Sequence, residues 1–185
     1  MTVIAGFTGT RRVVVRQRGF AGLFSLVLGT VTGLTLIYLS LVVIGLNEWN
    51  PRYLIPLGGM LLGNAMTAGT LAMEQLVSDL RQSGNDVEVM LAMGASPDES
   101  VRSFRCTAIG AAMTPTLNTM MVVGVVQLPG MMTGQMLGGF DPFQAAMYQL
   151  LILIAIAFCA ALSTALIVEL IYRQFFTATW QFKRL

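Results

Sequence analysis

The sequence contains no histidine, so it lacks the most common metal ligand and the most common general base of enzymes. Its two cysteines, Cys106 and Cys159, both lie in or beside apolar runs, a context typical of buried and unpaired thiols. Charged residues make up only 11% of the chain, whereas a soluble domain has about 25%. These shortages disfavour a histidine-dependent site and leave too little polar surface to cover a globule in water.

Long uncharged runs take the place of that polar surface. Hydrophobic residues make up 55% of the chain, and its mean hydropathy is +0.72. A helix needs about 20 apolar residues to cross a hydrocarbon core of about 30 Å. Runs of that length occur at residues 20–46, 53–73, 107–126 and 142–172, and Glu169, near the end of the last run, is the one charged residue within them. The sequence therefore predicts an all-α fold, a polytopic transmembrane helical bundle of about four spans in a single domain over residues 1–185.

The lysines and arginines predict which side of the membrane each connection faces. With four spans, three charged segments lie on the same side of the membrane: residues 11–18, 74–106 and 173–184. They hold four, three and three of the eleven basic residues, respectively. Only Arg52 falls on the opposite side. Cytoplasmic loops are enriched in Lys and Arg. The predicted location is thus the cytoplasmic (inner) membrane, with several passes and the C-terminus in the cytoplasm.

The first ten residues are apolar, but a helix of that length covers only about 15 Å, or about half of the membrane. No basic stretch precedes them, which disfavours a signal peptide. We interpret residues 1–10 as a partial N-terminal helix whose preceding spans are missing. On this interpretation the sequence either begins at a misplaced start codon or is a fragment.

Residues 74–106 form a predicted cytoplasmic insert between the second and third spans. The Ser-Gly-Asn sequence at 83–85 is expected to break the helix that precedes it. Residues 86–93 can form a short helix that ends at Gly94, because glycine commonly terminates helices. Two roles are open for this helix. It is either a connector that lies on the membrane surface or a docking helix that seats in the groove of a partner protein.

A second helix is predicted to begin directly after this turn. Ser96, Pro97 and Glu99 have the spacing of a capping box, with proline in the first helical position that it favours. We expect this helix to continue without a break into the third span.

The spacing around Gly94 favours docking. Glu88 followed by five residues and then Gly94 resembles the core of the loop that permeases of ABC transporters insert into their ATPase subunits. Val89 and Met90 replace the two alanines of that loop, and its downstream Ile-x-Leu-Pro is not at the expected offset. The predicted ATPase-coupling residues are Glu88, Met90, Met93, Gly94 and Ser96.

Polar residues and a proline interrupt two of the predicted spans. Asn64 lies in the second span, and Pro115 and Asn118 lie in the third. Polar groups inside a bilayer often line a transport pathway, but Asn and Thr also form hydrogen bonds between neighbouring helices. Pro115 is expected to kink its helix. Both interpretations stay open, and these three residues are pathway candidates.

The predicted outer loop, residues 127–141, is too apolar for water and too rich in Gly and Pro for a span. We expect an element that is partly embedded in the membrane. Met131 and Met132 are pathway candidates that could contact a soft metal, although methionine more often fills gaps in packing. Asp141, which precedes a proline, is expected to cap the last helix. No residue pattern predicts a resident metal site or a bound cofactor.

Several segments resemble one known family of membrane proteins. They are residues 56–66, 91–97, 124–135 and 139–142, together with the pair Tyr148-Gln149. These segments are similar to the FetB-like (YbbM-like) permeases, membrane subunits of ABC transporters linked to iron export in bacteria and, in plants, to aluminium tolerance. The resemblance covers Leu54 to about Arg173, and Leu-Pro-Gly-Met-Met-Thr-Gly is its most specific run. Members of the family are longer at the N-terminus, by about the two spans that the short start of this sequence leads us to expect are missing.

The resemblance implies a permease subunit that exports iron or another metal or solute, powered by a separate cytoplasmic ATPase chain. The sequence agrees, because it has no Gly-rich Walker A run ending in Gly-Lys-Ser/Thr. We therefore expect no enzyme activity in this chain, an ABC ATPase and the lipid bilayer as partners, a homodimer, and no nucleic acid.

Two other functions, a membrane scaffold and an intramembrane enzyme, are alternatives to a transporter. A truncated, non-transporting membrane scaffold subunit is compatible with the short N-terminal segment. An intramembrane enzyme would need a nucleophile with a base, or metal ligands, within the spans. The chain has no histidine and no carboxylate in the middle of a predicted span, which disfavours the enzyme.

Overall fold

The computed structural model describes residues 27–35, 37, 51–124 and 128–176. Its helices are α1 at residues 27–35, α2 (Pro51–Gln82), α3 (Gly84–Ala92), α4 (Pro97–Val122), α5 (Gly130–Leu137) and α6 (Pro142–Gln174). No β-strand occurs among the described residues, and the predicted all-α fold is confirmed. The predicted partial helix at 1–10, the basic segment at 11–18 and most of the first span lie outside the described residues.

Three long helices, α2, α4 and α6, pack against one another and form the centre of the bundle. Apolar positions that recur every three or four residues turn one stripe of each helix inward. On α2 this stripe consists of Leu57, Leu61, Ala65, Ala68, Ala72, Leu76 and Leu80. Helix α3 lies at the end of the bundle where α4 begins. Helix α5 lies at the end where α4 stops, and it packs against α6 there. We call these regions the α3 end and the α5 end.

Among the described residues, α6 is the one helix long and apolar enough to cross a membrane. It has 33 residues and a mean hydropathy of 2.8 over a window of 18 residues. At 1.5 Å per residue it is about 50 Å long, so its ends extend beyond a hydrocarbon core of about 30 Å. Its exposed face carries large apolar side chains at helical spacing, which suits contact with lipid. They are Phe143, Met147, Leu150, Ile154, Phe158, Leu162 and Leu166.

The second and third predicted spans are also helical, within α2 and α4. Both helices contain more threonine and more charged residues than α6, so they are less apolar on average. Helix α4 ends at Val122, four residues before the predicted end of the third span, because Gly124 adopts the left-handed region with φ of 86°. The count of four membrane crossings stays a prediction.

The short helix at the α3 end begins two residues earlier than predicted. We expected it at 86–93, whereas α3 spans Gly84–Ala92. The carbonyl oxygen of Ser83 accepts hydrogen bonds from the N–H groups of Asp86, at 3.1 Å, and Val87, at 3.2 Å. These bonds start α3 directly after α2, so the expected three-residue break is reduced to Ser83.

The two cysteines lie in different surroundings, although both thiols are free. Cys159 is buried on α6, and its Sγ lies 4.0 Å from Oγ1 of Thr32 on α1. Cys106 is exposed, so the prediction that both thiols are buried is wrong for this residue. Helix α4 buries Val101 and Ala108, and Cys106 lies on the opposite side of the helix. The helical face, rather than the local hydropathy, decides its exposure.

Candidate functional site

The C-terminus of α3 is closed by a Schellman motif. Gly94 adopts φ of 90°, a conformation that favours glycine. Its N–H donates to the carbonyl oxygen of Leu91 at 3.0 Å, and the N–H of Ala95 donates to that of Met90 at 3.1 Å. The last carbonyl groups of α3 therefore have partners, and the direction in which the chain leaves the helix is fixed.

The N-terminus of α4 is closed by the predicted capping box, which is confirmed. The N–H of Ser96 donates to Oε2 of Glu99 at 2.9 Å, and the N–H of Glu99 donates to Oγ of Ser96 at 3.3 Å. The Ser96 hydroxyl also donates to Glu99 Oε2 at 2.8 Å. The bonds from the Ser96 N–H and hydroxyl hold the pKa of the Glu99 carboxyl below its ordinary value. Four residues thus join α3 to α4 in a defined geometry.

Helix α3 presents apolar side chains away from the bundle. Val87 is fully buried and anchors one face of the helix. Val89, on the opposite side, and Met90 are exposed, and Met93 is 82% exposed at the tip. All five predicted coupling residues lie on α3 or on the turn that follows it, and Glu88, Gly94 and Ser96 are exposed there. This arrangement is an exposed, geometrically fixed apolar projection.

An ion-pair network that sequence reasoning missed lies beside this projection. Arg105 on α4 donates through Nη2 to Glu169 Oε2 on α6, at 2.8 Å, and through Nη1 to Asp98 in the first turn of α4. Its guanidinium carbon lies 4.5 Å from the centre of the Tyr172 ring. Glu169 Oε1 accepts from Tyr172 at 3.2 Å and from Arg173 Nη2 at 2.7 Å. We call this network the Arg105–Glu169 clasp.

A cavity of about 440 Å³ opens on the exposed face of α4. It is lined by Thr114, Leu117, Asn118, Met120 and Met121. Among the pathway candidates, Asn118 lies in this lining, whereas Pro115 is exposed on the same helix outside it. Asn64, Met131 and Met132 do not line the cavity.

Three exposed polar side chains on α2 and α4 bond within their own helices. Asn64 Nδ2 donates to the carbonyl oxygen of Met60 at 2.8 Å, and Thr114 Oγ1 donates to that of Gly110 at 2.9 Å. The hydroxyl of Thr119 donates to the carbonyl oxygen of Pro115 at 2.9 Å. Within the described residues, neither Asn64 nor Thr114 forms a hydrogen bond to a neighbouring helix. Pathway lining and contact between helices both stay predictions for these positions.

The α5 end contains the remaining pathway candidates. Met131 and Met132 lie on α5, both half-buried, and Met131 packs against the core. The side-chain amide oxygens of Gln135 and Gln149 are buried without hydrogen-bond partners. Asp141 caps α6, as predicted, by accepting hydrogen bonds from the N–H groups of the second and third helical residues. Within the described part of the chain, no three His, Cys, Asp or Glu residues cluster as metal ligands.

The model of an uncharacterised protein family, UPF0014, matches residues 1–176. The UPF0014 membrane protein slr1647 of Synechocystis is 42% identical over 95% of this chain and 68% of its own length. The protein ALUMINUM SENSITIVE 3 of Arabidopsis thaliana is 35% identical over 98% of this chain and 65% of its own length. The probable iron export permease protein FetB of Escherichia coli is 34% identical over 76% of this chain and 54% of its own length.

The chain spans between 54% and 68% of the length of these three relatives. No solved structure matches it. Relatives named as membrane proteins, together with the long apolar helix α6, identify an all-α helical membrane protein. The chain belongs to the uncharacterised protein family UPF0014, and its homologues include the FetB permease.

Proposed function

We propose that this chain is a permease subunit of an ABC transporter that exports iron or another metal or solute, powered by a separate ATPase chain. The observation that carries the proposal is the α3 projection, in which Met90 and Met93 stand exposed on a short helix with both connections fixed. The name of the homologous FetB supports the permease role and suggests the cargo.

The projection has the properties of a docking helix. A connector that only joins two spans needs neither a fixed geometry nor exposed apolar side chains at its tip. Burial of an exposed Val or Met side chain contributes about 1.5–3 kcal/mol, so three such residues could anchor a helix in a groove. Glu88, Met90, Met93, Gly94 and Ser96 are the proposed coupling residues. The partner would hydrolyse ATP, and this chain would not act as an enzyme.

The proposed orientation places the α3 end and the C-terminus in the cytoplasm and the chain in the inner membrane. The excess of Lys and Arg in the segments on that side supports it. With this orientation α3 faces the compartment that holds ATP, and α5 faces the outer side.

We further propose a homodimer, in which the α4 face of a second copy closes the open cavity into a pathway. The exposed amide of Asn118, on a helix that we place within lipid, favours such a cover, because a polar group facing acyl chains is costly. Asn64, Pro115 and Asn118 would lie along the pathway, with Met131 and Met132 at its outer end.

Affinity purification of the tagged full chain from native membranes in mild detergent tests the proposal. We expect an ABC ATPase in stoichiometric amount with the wild-type chain and its loss with Met93→Asp, because a buried carboxylate would be left unpaired in the groove. The matched control is Leu137→Asp, which makes the same kind of change at an exposed apolar residue of the α5 end.

Two results would contradict the proposal. Recovery of the wild-type chain without an ATPase at native expression would favour the alternative, a truncated and non-transporting membrane scaffold subunit. Equal ATPase recovery with Met93→Asp and with the wild type would show that α3 is not the docking element, even if an ATPase is bound.

A further inference from the structure

The Arg105–Glu169 clasp joins two helices at the α3 end that are far apart in the sequence. Arg105 and Glu169 are 64 positions apart, and their side chains are 24% and 33% exposed. Charge-assisted hydrogen bonds are stronger than neutral ones, and partial burial reduces their screening by salt. The clasp therefore fixes the start of α4 to the end of α6 more firmly than apolar packing alone.

We propose that Arg105 and Glu169 are positioning residues of the transporter, which transfer a displacement of α3 to α6. This inference rests on the proposed function, since it assumes that an ATPase moves α3. Among the described residues α3 contacts α2 and α4 but not α6, so without the clasp its displacement would reach α6 only through the packing of these two helices against α6.

The first step of the transfer runs from α3 to Asp98. The Schellman motif at Gly94 and the capping box at Ser96 fix the turn between the two helices. Asp98 is the second residue of α4 and lies between Ser96 and Glu99, the two residues of the capping box. A displacement of α3 therefore moves the Asp98 carboxylate with it.

The second step runs from Asp98 to α6 through the guanidinium of Arg105. This group contacts Asp98 and Glu169 with different nitrogen atoms, so it binds both carboxylates at once. The ring of Tyr172, which is buried, lies against the same guanidinium. Arg173 completes a chain of alternating charges, but its pair with Glu169 is internal to α6 and orients the carboxylate without linking helices.

The third step runs along α6 to the α5 end. This helix packs against α2, α4 and α5, and it is continuous from Pro142 to Gln174. A helix with an unbroken ladder of backbone hydrogen bonds moves as a rigid element over its length. Displacement of Glu169 would thus reach the hairpin of α5 and α6 at the opposite end of the bundle.

The test measures movement at the α5 end without requiring a known cargo. Cys106 and Cys159 are replaced by Ser and Ala, Leu137→Cys is introduced, and its rate of labelling by a maleimide is measured in the complex with the ATPase. In the otherwise wild-type complex we expect trapping of nucleotide with vanadate to change this rate. Glu169→Gln and Arg105→Gln should remove most of the change while the ATPase stays bound and active.

Two further variants separate coupling from folding. Asp98→Asn alters a carboxylate that is 64% exposed, so it should leave the thermal unfolding of the chain nearly unchanged and still reduce the nucleotide response. Arg102→Gln is the matched control, because Arg102 is exposed on α4 and forms no ion pair within the described residues. It should keep the full response.

The inference is overturned if the clasp variants keep a nucleotide response of wild-type size, or if the wild-type complex shows none. It is also overturned if the response falls only in variants that lose thermal stability and Asp98→Asn keeps it, since the clasp is then merely structural. Absence of an ATPase from the wild-type chain removes the proposed function and this inference together, whereas the other outcomes leave the proposed function standing.

Discussion

The α3 end and the α5 end are built from the same local parts. Each has a short helix, closed by a glycine with positive φ, at Gly94 and Gly139. Each is followed by a long helix with proline at its start and a side-chain cap, from Ser96 or Asp141. The side chains differ, since the α3 end holds a network of charges and the α5 end holds buried amides without partners. Local sequence patterns therefore specify the turns, and the side chains around the turns make the two ends chemically different.

Substitution of the two turn glycines should produce the largest effects and distinguish the ends most clearly. Gly94→Val and Gly139→Val both force a branched residue into the left-handed region, and neither new Cβ would contact another atom within 4 Å. The strain is thus conformational at both sites, and we expect each to lower stability by about 1–3 kcal/mol. Thermal unfolding in detergent measures this loss.

The amount of ATPase that copurifies with each of these two glycine variants compares the two turns as docking elements. Gly94→Val should reduce recovery because it reorients the projection, whereas Gly139→Val should leave it intact. Equal recovery for the two variants would contradict a special role for the α3 turn.

Removal of the two N-caps should have a smaller effect. Ser96→Ala and Asp141→Ala each delete a side chain that accepts backbone N–H bonds, and each should cost about 1 kcal/mol. Amide hydrogen exchange should increase in the first turn of α4 in one variant and of α6 in the other. Exchange that increases at both ends in either variant would mean that the two turns are not independent.

The smallest expected effect is a dependence on pH that is confined to the α3 end. The folded-state pKa of Glu99 is lowered from 4.5, so its contribution to stability is fully present above that value and is lost as the pH falls through the lowered pKa. Amide exchange at the start of α4 should rise over this acidic range. In Glu99→Gln this dependence should disappear, and its persistence would point to another carboxylate.

The elements that the sequence predicted well depend on neighbouring residues. The capping box at Ser96, the cap at Asp141 and the short helix before Gly94 are each specified within a few positions, and the structure contains all three. Their geometry follows from hydrogen bonds that the chain can form before it packs.

The elements that the sequence did not predict depend on how the helices pack. The pair of Arg105 and Glu169 joins residues 64 positions apart, and no local pattern indicates which charges will meet. The only signal was a cluster of charged residues at the start of α4 and two charged residues near the end of α6. The exposure of Cys106 and the cavity beside Asn118 likewise depend on which face of α4 turns inward.

The hydrogen bonds on the exposed face of α4 have a consequence for its surroundings. The hydroxyls of Thr114 and Thr119 donate to carbonyl groups of their own helix, and Asn64 on α2 does the same with its amide. Such side chains need no donor or acceptor from outside to satisfy these bonds. The surfaces around these three side chains can therefore contact water, lipid or protein in turn, while the hydrogen bonds within each helix stay the same.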